Sequence, residues 1–246
     1  MKVGVLVIAT GKYDMFFEEL YDSFEEFFLP GHPKHYFFLT DSKKEDLPYN
    51  VDKFYIKRQG FPQDTLFRYK YFLTAEKEIR ESGVECLYYT DVDMKAIATM
   101  GDEILPSKEK PIVAVAHPGF YKTNLGTPET RRISKAFIKP TEYREHYVAG
   151  GFQGGLTNDY LSLSKTINQM IDSDYEKGII PVWNDESMWN RYYTTNISKI
   201  KVLTPEYCYP EGKYKNPQMN NYHSLIKYNL TPRLLALDKD HNWVRS

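Results

Sequence analysis

The stretch Leu87-Tyr88-Tyr89-Thr90-Asp91-Val92-Asp93-Met94 sets two carboxylates one residue apart behind an apolar, aromatic run. In extended backbone, residues i and i+2 point to the same side. Asp91 and Asp93 are therefore expected to face one way at the carboxyl end of a buried strand, where open α/β sheets bind ligands. Two like charges held together need a cation between them or a raised pKa. Hard oxygen ligands suit Mg²⁺ or Mn²⁺, which keep some waters and take other ligands from substrate phosphates. The segment reads as a metal–diphosphate clamp, against the plainer reading of a solvated turn after a strand. A second stretch, Val148-Ala149-Gly150-Gly151-Phe152-Gln153-Gly154-Gly155, lets backbone approach a ligand closely, unless it is only a tightly packed strand. A third, Trp183-Asn184-Asp185-Glu186, carries two acids, with Asp185 placed to cap a short helix through Tyr193.

The elements that must position these groups are legible from patterning. Val3 to Thr10 is a continuous apolar run, as in a central parallel strand. Asp14 can cap the next helix, whose apolar face is Phe17, Leu20, Tyr21, Phe24, Phe27 and Phe28 and which Pro30-Gly31 stops. Tyr36–Asp41 is a second strand, so the chain opens β-α-β, the start of a Rossmann-like sheet. Val51–Lys57 alternates like a half-exposed strand, and Asp64-Thr65 is expected to cap one long helix from Leu66 to about Glu81. Further strands are expected at 111–117 and 201–203, a loop from Phe120 to Lys135, a helix around Leu161–Ile171, and weak order over 212–222. The sum is an α/β fold in one domain, residues 1–246.

Composition narrows the partners. Lys+Arg 32 against Asp+Glu 33 gives a net charge of −1, so neither nucleic acid nor an acidic membrane is indicated. The 21 Tyr and 14 Phe fill a core or offer flat platforms to sugars. Cys86 and Cys208 form neither a disulfide framework nor a zinc motif and read as small buried residues. The first strand is too short to span a bilayer and has no cleavage-site pattern, so a soluble, cytoplasmic protein is expected. No Gly-x-Gly-x-x-Gly follows the first strand, which argues against a dinucleotide cofactor.

Taken in order, Ile8-Ala9-Thr10, Tyr13, Arg68, Asp91-Val92-Asp93, His117-Pro118-Gly119-Phe120-Tyr121, the Gly-rich segment, Trp183-Asn184-Asp185-Glu186 and a basic tail closely resemble the family 6 retaining glycosyltransferases. That family includes the histo-blood-group A and B transferases and alpha-1,3-galactosyltransferase. The resemblance implies a GT-A fold, a UDP-sugar donor, Mn²⁺ (with Mg²⁺ a possible substitute) and an α1,3 linkage made with retention. By resemblance, Ile8, Ala9, Thr10, Tyr13 and Val92 hold the uridine, and Asp91 and Asp93 bind metal and diphosphate. Arg68 lies near the donor sugar, Ala149 and Gly151 (flanking Gly150) sort donor sugars, and Asp185 bonds the donor ring. His117, Trp183 and Thr127 contact the acceptor, Thr130 being an equally placed alternative to Thr127. Glu186 is the nucleophile or electrostatic stabiliser and also meets the acceptor. Lys239 and Arg245 close over the diphosphate. On their own residues, Arg68 would be a solvated helix arginine, His117 a strand-ending histidine and Trp183 core. The implied division is a nucleotide-binding half over about 1–95, an acceptor and catalytic half over about 96–236, and a C-terminal lid over about 237–246, mobile without donor because few packing contacts are expected there. The chain departs from the mammalian pattern in lacking anchor and stem, in Asn184 for a histidine and in a shorter loop after Tyr121.

The expected reaction moves GalNAc from UDP-GalNAc to the 3-OH of a terminal β-galactoside, since Gly151 leaves room for an acetamido group; UDP-Gal is the alternative donor. A non-catalytic sugar-nucleotide binding module is a rival that would lack the charge chemistry. A nucleotidyltransferase is a second, disfavoured because no Gly-rich phosphate loop follows the first strand.

Overall fold

The computed structural model describes residues 1–123, 126–142, 144–216, 225 and 227–246. Its centre is a seven-stranded sheet of β1 (Val3–Ala9), β2 (Lys34–Thr40), β3 (Val51–Tyr55), β4 (Cys86–Asp91), β6 (Ile112–Val115), β7 (Phe152–Leu156) and β8 (Ile200–Leu203), in the order β3-β2-β1-β4-β7-β6-β8. A small second sheet joins β5 (Met94–Ala96), β10 (Leu234–Ala236) and β9 (Tyr209–Pro210). In the large sheet only β7 runs against its neighbours.

The apolar run of β1 is explained by burial on both faces. Val3, Val5, Val7 and Ala9 pack into one core, Leu6 and Ile8 into the other. Two parallel neighbours flank it, with Ala9 opposite Thr40 of β2 and Ile8 opposite Asp91 of β4. The chain runs outward from β1 to β2 and β3, then returns to the other side of β1 with β4. That reversal is a topological switch point, and the crevice beyond the carboxyl ends of β1 and β4 is where such sheets bind ligands. Edge strand β3 is half exposed, as its alternation predicts.

Helix α1 (Phe17–Phe27) buries Phe17, Leu20 and Phe24, and the ring of Phe17 stacks on Phe38 at 3.9 Å. Asp14 does not cap it: the residue lies inside a 3₁₀ turn, Gly11–Phe16, that leads into the helix. The expected long helix over 66–81 is three short ones, α2 (Gln63–Leu66), α3 (Arg68–Thr74) and α4 (Glu76–Glu81). At the second break Ala75 N–H reaches back only three residues, to Phe72 O at 3.2 Å. Asp64 is no cap either; its carboxylate accepts from Thr10 Oγ1, Gln59 N–H and Gly60 N–H.

Helix α5 (Thr157–Tyr175) and helix α6 (Asn184–Asn196) cover one face of the sheet through Tyr160, Leu161, Ile167, Met188 and Trp189. Helix α6 starts with Trp183 as its N-cap residue, and Asp185 turns inward instead of capping. The glycines at 150, 151, 154 and 155, in and just before β7, divide into two uses. A Cβ on Gly154 would lie 2.5 Å from the Tyr88 ring, and one on Gly155 2.5 Å from Pro111 O, so those two glycines serve close strand packing. Within 212–222, α7 (Glu211–Lys215) is helical, and residues 217–222 lie outside the described residues. Among the described residues no helix is long and apolar enough to cross a membrane.

Candidate active site

At the switch point a cavity of about 320 Å³ is lined by Ile8, Thr10, Tyr13, Arg68, Asp91, Val92, Asp93, Lys239 and Arg245, all expected from the sequence, together with Arg58, Phe61, Asp64, Tyr89 and His241, which were not. Ala9 is not brought in; strand alternation turns its side chain into the core. Ala149 is likewise core. The strand ends at Asp91 and the chain turns at Val92-Asp93, so the two acids meet through a turn rather than strict alternation.

Arg68 organises the inner end of the cavity. It is 6% exposed. Its guanidinium donates to Gly150 O at 2.6 Å and Asp91 Oδ1 at 3.1 Å, pairs with Asp185 Oδ2 at 3.2 Å, and lies over the Tyr89 ring at 4.3 Å. The expectation of a solvated arginine is excluded: a buried cation holds two carboxylates from different elements. Tyr89 also donates to Asp91 Oδ1, at 2.5 Å.

Gly150 and Gly151 stitch that network to Glu186. Gly150 N–H donates to Glu186 Oε2 at 2.9 Å, and Asp91 N–H donates to Gly151 O at 2.9 Å. A Cβ on Gly151 would stand 3.0 Å from Asp91 Oδ2 and 3.6 Å from Cys208 Sγ. Cys208, read from sequence as inert filling, thus lies beside the site. Burial pushes Asp185 up to about 6, against the pull of Arg68. Burial also pushes Glu186 up to about 7; the Gly150 N–H opposes the shift and the Asp185 charge adds to it. Tyr147 is buried with its phenol facing Glu186 and Thr127, without a well-aligned hydrogen bond to either. This contact sets Thr127 next to the site.

His117 ends the run after β6. Its Nδ1 accepts from Gly119 N–H at 3.0 Å, which leaves the ring proton on Nε2. Burial lowers its pKa to about 4, so the ring is neutral near pH 7. It packs against Phe120 and Tyr147. Trp183 is 50% exposed, so it is a surface group and not core. Asn184 has φ 49°, a left-handed conformation that asparagine tolerates better than most residues.

Glu129, missed by sequence reasoning, is 1% exposed and accepts from Val182 N–H and from Arg131, which itself donates to Ile180 O. It fastens the loop after Tyr121 to the segment that starts α6. No spacing rule marks such a loop-to-loop contact.

Residues 237–246 lie against the cavity and are better packed than expected. Lys239 pairs with Asp93. Arg245 lies over the Phe61 ring at 3.8 Å, and Val244 is 2% exposed. Arg58 donates to Arg245 O at 3.0 Å, and Lys12 to Trp243 O at 2.9 Å.

Among the described residues no group of three or more His, Cys, Asp or Glu converges as metal ligands. Of the acids that line the cavity, Asp64 is taken up by Thr10, Gln59 and Gly60, and Asp91 and Asp93 are the pair set to face a cation. Two hard carboxylates fit Mg²⁺ or Mn²⁺ only as partial ligands, with phosphate and water completing the shell.

A carboxylate pair at the switch point of a mixed sheet, with a second acid pair on a helix opposite, fits a glycosyltransferase of the GT-A type. Sequence comparison specifies it further: the model of glycosyltransferase family 6 matches residues 1–246, and the chain belongs to that family. It is a hexosyltransferase. The human globoside alpha-1,3-N-acetylgalactosaminyltransferase 1 is 30% identical over 257 residues, covering all of this chain and 69% of that protein. The rat histo-blood group ABO system transferase 1 is 29% identical, over 99% of this chain and 68% of its own length. The Escherichia coli O-antigen biosynthesis glycosyltransferase WbnI is 28% identical, over 88% of this chain and 91% of its own.

Proposed function

We propose that the protein transfers GalNAc from UDP-GalNAc to the 3-OH of a terminal β-galactoside in α linkage, with retention and with a divalent cation, Mn²⁺ before Mg²⁺. The observation that carries this reading is the Arg68 network, which ties Asp91 at the diphosphate end to Asp185 and Gly150, and through Gly150 to Glu186 at the sugar end. In the reaction the bond from the anomeric carbon to the β-phosphate oxygen breaks, a bond to the acceptor oxygen forms, and the acceptor proton leaves with the phosphate. A bound divalent ion supplies Lewis-acid stabilisation of the departing diphosphate. Asp91 and Asp93 would hold it; Lys239 and Arg245 add charge-assisted hydrogen bonds worth about 1.5 kcal/mol or less each in their partly solvated place. Glu186, as a carboxylate, meets the positive charge that develops at the anomeric carbon. Neutral His117 offers its Nε2 proton to an acceptor oxygen, and Trp183 an apolar face to the acceptor ring.

Preference for GalNAc rests on the missing side chain at Gly151, which lies beside Asp91. A site with spare room rejects the smaller sugar weakly, by about 1–3 kcal/mol, so some transfer from UDP-Gal is expected. The test is UDP release from UDP-GalNAc and UDP-Gal with a lactose-type acceptor, repeated in excess EDTA. Faster use of UDP-Gal would overturn the donor assignment, and full activity in EDTA the metal requirement. Binding of UDP without any transfer across a panel of acceptors would favour the binding module.

A further inference from the structure

Both carboxylates of the Asp-Val-Asp turn are already met by cations of the chain. Asp91 gives Oδ1 to Arg68 and Tyr89. Asp93 gives Oδ2 to the Lys239 ammonium. The lysine is seated by the fold: β10 pairs with β5, Leu237 N–H donates to Asp93 O at 2.9 Å, and the Lys239 side chain is only 16% exposed. A hard divalent ion and an ammonium compete for one carboxylate oxygen, because two cations in contact with it repel each other. With two protein carboxylates as its only ligands among the described residues, the ion has little to offset that competition.

We propose that Lys239 occupies the divalent-cation seat on Asp93 in the nucleotide-free enzyme, and that ion and lysine exchange there when a nucleoside diphosphate binds. The proposal rests on the metal-dependent reading above. A diphosphate gives the ion further oxygen ligands and gives the displaced ammonium a new anion. Lys239 therefore couples ion binding to nucleotide binding: it suppresses the first alone and supports both together. The ion should be taken up with nucleotide rather than ahead of it.

The test is Mn²⁺ titration of the full chain, with free Mn²⁺ read by electron paramagnetic resonance, without and with saturating UDP. Thermal melts check that each variant is folded. Lys239→Met is expected to bind Mn²⁺ about tenfold more tightly than the parent without UDP, and to lose that advantage with UDP. Lys239→Arg keeps the competing charge and should resemble the parent. Asp93→Asn should bind weakly under both conditions. Equal nucleotide-free Mn²⁺ affinity in the parent and Lys239→Met, with normal binding in both once UDP is present, would overturn the exchange and leave the metal reading standing. No Mn²⁺ binding to any of these proteins even with UDP would overturn both.

Discussion

Burying Glu186, the carboxylate proposed to meet the developing charge, costs stability. Its folded-state pKa, raised to about 7 from 4.5, means that the folded protein holds the proton more tightly than the unfolded chain. The penalty for burying its charge is absent below about pH 4.5, grows between the two values and is complete above about pH 7. Glu186→Gln is therefore expected to melt higher than the parent at pH 8, by roughly 1–3 kcal/mol, with the gap closing by pH 4.5. The same variant should lose transfer by about 10²–10³-fold, the scale of one lost electrostatic stabiliser. Parent kcat/KM should rise through pH 7 as the carboxylate forms, since that ratio reports the free enzyme. Melts at both pH values and initial rates decide it; a variant less stable than the parent at pH 8 would refute the burial cost. At this scale the sequence was a good guide where a residue type has one use. The Asp-Val-Asp acids, Thr10, Tyr13 and Arg68 all reach the cavity. It misled where one carboxylate has two uses: Asp64 and Asp185 sit where caps sit, yet tertiary partners claim both.

At the scale of elements, β7 is the piece whose placement matters most and was least legible. Its glycines announced close approach but not to what, and its antiparallel entry between β4 and β6 depends on long-range pairing that no local pattern encodes. The breaks in the helix over 66–81 fall at Phe67 and Ala75, residues with no helix-breaking chemistry, so packing and not propensity ends those turns. The two glycine uses give a paired expectation. Gly154→Ala forces a methyl to 2.5 Å from the Tyr88 ring, and 2.7 Å from Leu87 O, in a filled core. It should destabilise by about 1–3 kcal/mol and leave the donor ratio alone. Gly151→Ala meets Asp91 Oδ2 at 3.0 Å. It should melt near the parent but transfer more slowly, and shift the ratio toward UDP-Gal by crowding the acetamido group. Melting curves beside two-donor kinetics separate them. If Gly151→Ala lowered stability as much as Gly154→Ala, its role would be packing.

For the molecule as a whole, the α/β class, the opening β-α-β and the position of the acids at a strand end followed from patterning, because β1, β2 and β4 are buried on both faces and their sequences show it. The docking of residues 237–246 did not, because its contacts span the length of the chain: Lys12 to Trp243, Arg58 to Arg245, Asp93 to Lys239. Those contacts tie the last helix, His241–Arg245, to the 3₁₀ turn beside Tyr13 and to the Phe61 segment, on two sides of the cavity mouth. Removing the chain from Lys239 onward takes away two cations and the buried Val244, but leaves both halves of the main sheet intact. The truncated protein should therefore fold and melt within a few degrees of the parent. It should bind UDP more weakly, by one to two decades if each charge-assisted contact is worth about 1.5 kcal/mol or less in this partly solvated place. Its effect on chemistry should be larger for transfer than for reaction with water, since a mouth left open admits solvent to the donor. The ratio of UDP-sugar hydrolysis to transfer, measured with and without acceptor, is the discriminating quantity. A truncated enzyme with unchanged UDP affinity and an unchanged hydrolysis-to-transfer ratio would show that these residues only decorate the surface and take no part in closing the site.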